Sequence, residues 1–164
     1  MMRKIQFLVI ISALSLLVSG CSKSSVASYY KHETECLGVE LDGSQTLKAW
    51  GKGRNRKDAV EQAKKNAVRD VIFKGNFIGS GECKNQALLL EVNAEGKYES
   101  YFNSFFRDGG EYANYVSMED ERTSSSFMRS SDSRNKDQLT YSVVVRVLRV
   151  ELRNKLIKDG ILKQ

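Results

Sequence analysis

The chain has 164 residues and a formal net charge of +6, with three cysteines, one histidine and no proline. This length suits one domain with a hydrophobic core and is short for two. The single histidine and the lack of a Cys-x-x-Cys pair argue against a zinc site, so we expect no metal and no other cofactor.

The N-terminus has the pattern of a bacterial export signal. Arg3 and Lys4 precede an uncharged apolar run over residues 5–18, which is shorter than the about 20 residues of a membrane-spanning helix. Residues 18–21, Val-Ser-Gly-Cys, resemble the lipobox, in which the cysteine is acylated and the preceding peptide removed. We therefore predict that residues 1–20 are cleaved and that Cys21 carries a lipid anchor. The alternative is a signal peptide that ends in cysteine by coincidence.

The residues after Cys21 predict where the anchor goes. Ser22 takes the place of the aspartate that retains lipoproteins in the inner membrane, so the usual Gram-negative sorting pattern implies the outer membrane. Residues 23–28 have no acidic cluster of the kind that marks surface-exported lipoproteins. We expect a protein held in the outer membrane and facing the periplasm, with residues 21–34 as a flexible tether and residues 35–164 as one domain.

The charges are segregated along the chain. Residues 51–75 carry eight basic and three acidic residues, residues 84–122 carry four and eight, and residues 129–164 carry nine and four. Such a layout favours docking to a polar partner over a uniform cationic surface. We expect an envelope protein as partner and no nucleic acid, because a lipid-anchored protein seldom meets DNA.

Cys36 and Cys83 remain after Cys21 is acylated, and they form an even pair in an oxidising compartment. Two alternatives stay open at this point. A disulfide would contribute about 4 kcal/mol in the chain-entropy model, whereas two buried free thiols would contribute only by packing.

In chain order, the first predicted elements form a β-hairpin. Extended runs at residues 37–41 and 46–50 flank a turn in which Gly43 can adopt a positive φ. A helix should follow from about Arg56 to Phe73, capped by Asn55 and ended near Gly75. Its apolar stripe consists of Ala59, Val60, Ala63, Ala67 and Val71.

Gly51 and Gly53 lie between strand and helix, where phosphate-binding loops also occur. A Walker loop needs four residues between its glycines, and a dinucleotide loop needs a third glycine where this chain has Arg56. We therefore interpret the glycines as the place where the strand passes into the packed helix. On the other helix faces, Lys57, Lys64 and Lys65 are candidates for a partner-binding surface; the alternative is an ordinary solvated face.

A second helix is predicted from residue 93 or 94 to just before Asp108. Its aromatic residues have the spacing of a buried stripe, which we favour over a ligand-stacking platform. They are Tyr98, Tyr101, Phe102, Phe105 and Phe106. Beyond this helix, Tyr112 and Tyr115 are predicted to border a pocket and to join the partner-binding surface.

The C-terminal part predicts two strands and a helix. Residues 121–131 are a candidate polar edge strand, and residues 138–150 form the strongest strand pattern, with alternate apolar residues on one face. A helix from Glu151 to Lys158 follows. The order of elements predicts an α+β fold, an antiparallel sheet of about four strands with two or three helices packed on one face.

The run WGKGRNRKDAVEQAKKNAVRDVIFKG, residues 50–75, resembles the Gly-x-Gly and Ala-x-x-x-Ala-x-x-x-Ala signature of small outer-membrane lipoproteins related to the N-terminal domain of flagellar assembly protein T. With KYESYFNSFF and VVVRVLRVELRNKLIKDGIL, the mature chain is also similar to uncharacterised lipoproteins of gut-type bacteria. This resemblance implies an envelope-associated, non-catalytic domain and supplies no catalytic residues.

The leading functional hypothesis is a non-enzymatic, lipid-anchored scaffold or docking component. The alternative is a small module that binds a lipid, glycan or peptide. A hydrolase is disfavoured, because His32 falls in the predicted tether and the serines at 124–126 lack a nucleophile motif. The carboxylates have the pattern of solvated surface; they are Asp108, Glu111, Glu119, Asp120 and Glu121. We predict no catalytic residues.

Overall fold

The fold places one long helix on a sheet. A computed structural model describes residues 33–75, 78–79, 81, 83, 86–118 and 139–163, and all of them fall within one compact unit, residues 32–164. The fold is α+β, with a five-stranded, mostly antiparallel sheet and three helices of seven or more residues. The predicted fold class is confirmed.

Five strands form the sheet. In chain order they are β1 (Glu35–Val39), β2 (Gln45–Gly53), β3 (Ile78–Gly79), β4 (Val116–Ser117) and β5 (Leu139–Val147). Their order across the sheet is β3-β1-β2-β5-β4, and among these described strands only the β1–β3 pair is parallel. The long antiparallel ladder between β2 and β5 forms the centre.

The predicted hairpin is present as β1 and β2. Gly43 in its turn has a φ of +80°, and the Asp42 carboxylate accepts a hydrogen bond from the Ser44 backbone N–H at 2.9 Å. The register shifts between Cys36 and Gly38, so the partly exposed Leu37 forms a bulge. Local turn chemistry thus sets the hairpin as the sequence predicts.

Helix α1 (Arg56–Phe73) has the predicted bounds. The Asn55 side chain accepts a hydrogen bond from the Asp58 backbone N–H at 2.9 Å, and its amide donates to the Asp58 carboxylate at 3.0 Å. At the other end, Gly75 has a φ of +74° and its N–H donates to Asp70 O. Both predicted end signals are therefore confirmed.

Helix α1 lies unusually close to β2. A Cβ added at Gly51 would lie 2.0 Å from the Ala59 carbonyl oxygen, and one at Gly53 would lie 2.4 Å from the Ala59 nitrogen. Ala63 follows Ala59 on the same fully buried stripe. These contacts agree with the interpretation of the two glycines as packing positions.

The second predicted helix is two short helices, α2 (Ala94–Lys97) and α3 (Glu99–Phe105), so the prediction of one continuous helix is wrong. Tyr98 leaves helical geometry at φ −110° and ψ 33°. Asn93 starts α2 in the left-handed region, and its side chain occupies the space that a Cβ at residue 96 would need. The first turn of α2 therefore packs against the Asn93 side chain. The break at Tyr98 separates α2 from α3.

The aromatic stripe does form core, as predicted. Phe102 and Phe105 are buried, and Tyr98, Tyr101 and Phe106 pack against the core while partly exposed. Phe102 meets Phe73 of α1 edge-on, with 4.7 Å between ring centroids. The stripe therefore joins α3 to α1.

Helix α4 (Arg149–Lys158) follows β5. It begins two residues before the predicted start at Glu151, because β5 ends at Val147 and the Leu148 N–H donates to Tyr115 O at 3.0 Å. A 3₁₀ helix, Glu111–Tyr115, precedes β4. The predicted edge strand at residues 121–131 lies outside the described residues.

Candidate functional site

The predicted lipidation site, Cys21, lies outside the described residues, as does His32. Thr34, the last residue of the predicted tether, is buried, and its hydroxyl donates to the Asp70 carboxylate. The folded domain therefore includes Thr34, one residue before the predicted boundary. Among the described residues, no helix combines the length and the apolar character needed to cross a membrane.

Cys36 and Cys83 form a disulfide with 6.3 Å between their Cα atoms, which confirms the first of the two alternatives. Both residues are buried. The bond ties β1 to the segment that follows α1. The Leu88 and Leu89 N–H groups continue this attachment by donating to carbonyls at the end of α1.

The three lysines proposed as a binding surface have different environments. Lys57 is exposed, whereas Lys64 and Lys65 are half-buried. Lys64 lies 3.5 Å from the Glu61 carboxylate, and Lys65 donates to Asp108 at 2.6 Å. Two of the three charges are thus paired within the domain, and Lys57 is the member that faces solvent.

Tyr112 is fully buried, so the prediction that it borders an accessible pocket and belongs to a partner-binding surface is wrong. The 3₁₀ helix turns its ring toward α1, where the hydroxyl donates to the Glu61 carboxylate. The Lys65 ammonium lies 5.5 Å from the ring centroid. Burial raises the pKa of Tyr112, and the bond to Glu61 raises it further. Tyr112 therefore fastens the 3₁₀ helix to α1.

Tyr115 is half-buried and stacks on Phe105, with ring centroids 6.1 Å apart. Burial raises the pKa of its hydroxyl. Tyr115 keeps an accessible part, so its role in a partner-binding surface stays a prediction.

A polar cluster joins α3, the 3₁₀ helix and α4. Lys155 lies 2.6 Å from Glu111 and 3.1 Å from Asp159, and the Tyr101 hydroxyl donates to Asp159 at 2.6 Å. Burial raises the pKa of Tyr101, and the hydrogen bond to Asp159 adds to the shift. The cluster fixes three elements to one another.

The two described carboxylates considered for hydrolysis are paired with different lysines. Asp108 is held by Lys65, whose hydrogen bond lowers the pKa of that carboxyl. Glu111 is held by Lys155. The acids at 119–121 and the serines at 124–126 lie outside the described residues.

The structure contains a cavity that the sequence did not reveal. Its volume is about 330 Å³, near the lower end for small-molecule sites. The cavity lies between the β1–β2 hairpin and the start of α4, and three exposed lining residues of α4 mark its opening. Its lining includes Val39 and Gln45 from the hairpin and Arg149, Val150, Arg153 and Asn154 from α4.

Arg149 is the most unusual residue of this cavity. Only 9% of it is exposed, and its Nη2 donates to Gln86 O at 2.7 Å. Its Nη1 is buried without a hydrogen-bond partner in the described part of the chain. Burial lowers the pKa of the guanidinium, and the charge of Arg153 lowers it further. None of the described lining residues is acidic.

The cavity was missed because Arg149 falls within the predicted strand at residues 138–150. The sequence feature that could have pointed to this cavity is the pair Arg149 and Arg153, four positions apart. They share one side of a helix once the helix starts at residue 149. The two arginines come close to the hairpin because β2 of the hairpin pairs with β5, and β5 leads directly into α4.

No protein-family model, curated protein or solved structure matches this chain. Across the described ranges, no three His, Cys, Asp or Glu side chains are grouped so as to hold a metal ion. The resemblance to small outer-membrane lipoproteins stays a prediction.

Proposed function

We propose that this chain is a non-enzymatic protein, lipid-anchored in the outer membrane, whose folded domain docks to another component of the cell envelope. The observation that carries the proposal is the disulfide between Cys36 and Cys83. Such bonds form and persist in oxidising compartments outside the cytoplasm. The lipobox ending at Cys21 supports the same address, and the domain begins only a short tether beyond it.

The anchor is tested by replacing Cys21 with serine. We expect the unmodified protein to incorporate a fatty-acid label in growing cells and to fractionate with outer membranes, because several acyl chains hold a protein almost permanently. The Cys21→Ser variant should lose the label and the membrane fraction. Wild-type protein that stays unlabelled and soluble would overturn the proposed anchor.

The docking surface that the structure favours lies at the start of α1. Lys52, Arg54 and Lys57 are exposed there, beside the N-terminus of the helix, whose dipole adds positive potential. This basic end fits an acidic surface on the partner. Of the three lysines predicted from the sequence it keeps Lys57 and leaves out Lys64 and Lys65, which are paired within the domain.

Docking is tested by crosslinking in intact cells and purification of the lipidated protein. Charge reversal of Lys52, Arg54 and Lys57 to glutamate should reduce capture of the partner at least tenfold, since charge pairs steer and stabilise association. Reversal of three other exposed basic residues, Arg107, Lys158 and Lys163, serves as the matched control. Equal loss in both variants, or recovery of the wild type alone, would contradict docking through the basic end.

A second function, a small binding module, is favoured by one specific observation. The cavity at α4 is lined by two arginines and by no acidic residue among its described lining, which favours an anionic ligand over a cationic one. Native mass spectrometry of gently purified protein should then show an added small mass. Protein that is consistently empty would remove this second function.

A further inference from the structure

The charges around the cavity between the β1–β2 hairpin and α4, here called the α4 cavity, indicate whether its ligand is negatively or positively charged. Arg149 and Arg153 lie one helical turn apart, and burial together with the positive charge of Arg153 lowers the pKa of Arg149. A desolvated cation is costly unless a counter-charge is near. Nη1 of Arg149 is covered and Nη2 donates to Gln86 O, so an anion in the cavity would offset the charge of Arg149 without a direct hydrogen bond to either atom, and Arg153 would hold it directly.

The backbone at the same place adds donors. Helix α4 has ten residues, and Leu148 provides no side-chain cap at its start. The first N–H groups of a helix have no helical acceptor, and together with the helix dipole they attract anions. Gln45 and the exposed Asn154 also line the cavity, and the Asn154 carboxamide is a further possible donor. Guanidinium and amide donors match the oxygens of an oxyanion.

The apolar lining limits the ligand further. Val39 and Val150 form part of the wall, and Val150 is 46% exposed although it lies against the hairpin turn. A free phosphate has no apolar part that would use these valines. A carboxylic acid with a short aliphatic group has both parts, and its single charge suits guanidinium binding in pairs of parallel hydrogen bonds.

We propose that the cavity between the β1–β2 hairpin and α4 binds a small aliphatic carboxylic acid, with the carboxylate at Arg153 and the first N–H groups of α4, near the buried charge of Arg149, and the aliphatic group against Val39 and Val150. The proposal rests on the second function above, the binding module. It is independent of the lipid anchor and of docking through the basic end.

The test uses the purified mature protein in neutral detergent and three probes. Isobutyrate is the expected ligand, isobutyramide has the same shape without the charge, and inorganic phosphate represents the other kind of anion. Backbone amide resonances in two-dimensional NMR report binding and its place. Isobutyrate should shift the signals of Gly43, Gln45 and Val150 in a saturable way, and isobutyramide should leave them in place.

Two variants of exposed arginines complete the design. Arg153→Gln should weaken isobutyrate binding about tenfold or more, as expected when a charge-assisted hydrogen bond is lost. Arg107→Gln removes an exposed guanidinium just after α3 and should leave the affinity unchanged. Arg153 is exposed, so its replacement leaves the core intact.

Each other outcome overturns the proposal. Equal binding of isobutyrate and isobutyramide would show an apolar cleft, tighter binding of phosphate would show a phosphate site, and the absence of shifts would show no site. Equal weakening by both arginine variants would show a general charge effect. A neutral mass bound in native mass spectrometry would overturn the carboxylate while keeping the binding module, so the two failures are distinguishable.

Discussion

The close approach of α1 to β2 makes Gly51 a sensitive position. In a Gly51→Ala variant the new Cβ would lie 2.0 Å from Ala59 O and 2.4 Å from Ala63 N, where ordinary contact begins at 3.4 Å. Both atoms belong to the helix backbone, so no side chain can rotate away and α1 must retreat by about 1.4 Å. Overpacking of this kind costs about 1–3 kcal/mol. Because a rigid helix has to move, we expect about 3 kcal/mol.

The assay is urea unfolding followed by far-UV circular dichroism. With a typical slope of about 2 kcal/mol per molar urea, the midpoint should fall by about 1.5 M. Gly38→Ala is the matched control, because Gly38 also lies in the sheet and a Cβ there meets no atom within 4 Å. A Gly51→Ala midpoint equal to that of Gly38→Ala would refute the inferred packing of α1 on the sheet.

Three further predictions concern other parts of the domain. Replacing Cys36 by alanine opens a disulfide that joins residues 47 apart, so the free energy of unfolding should fall by about 4 kcal/mol; a reductant that leaves the wild-type urea midpoint unchanged would contradict this. Asn55→Ala removes the helix cap and should cost about 1 kcal/mol, whereas an unaltered melting temperature would show that the cap is dispensable. The pKa of Tyr112 is raised in the folded state, so the neutral hydroxyl contributes stability that is present below the ordinary tyrosine pKa of about 10 and is lost as pH rises toward the folded value. Tyr112→Phe should therefore show a smaller loss of stability above pH about 10 than the wild type, in urea titrations at a series of pH values.

The elements that the sequence predicted best are set by local chemistry. Helix α1 has its predicted bounds because Asn55 and Gly75 determine its ends within a few residues of chain. The hairpin is equally local, since Asp42 and Gly43 set its turn. Such signals act before any tertiary contact forms, so a pattern of residues is sufficient to find them.

The errors have a common cause in contacts between distant segments. Periodicity placed Tyr112 beyond a buried stripe and gave no sign of Glu61, its partner 51 residues earlier. The α4 cavity likewise combines the hairpin with residues more than a hundred positions later, and the predicted strand hid the start of α4 at Arg149. The burial of Tyr112 and the α4 cavity both depend on how distant segments pack, and the residue pattern of one sequence does not show which segments meet.

The position of the disulfide has a mechanical consequence. If the chain is tethered through Cys21, any pull on the domain reaches the folded part at Thr34 and the start of β1. The disulfide at Cys36 lies two residues after Thr34 and transmits this force to Cys83, which follows α1 in the chain. Force cannot then peel β1 away beyond Cys36 unless the segment at Cys83 moves with it. A domain anchored in this way would resist unravelling from its N-terminal end.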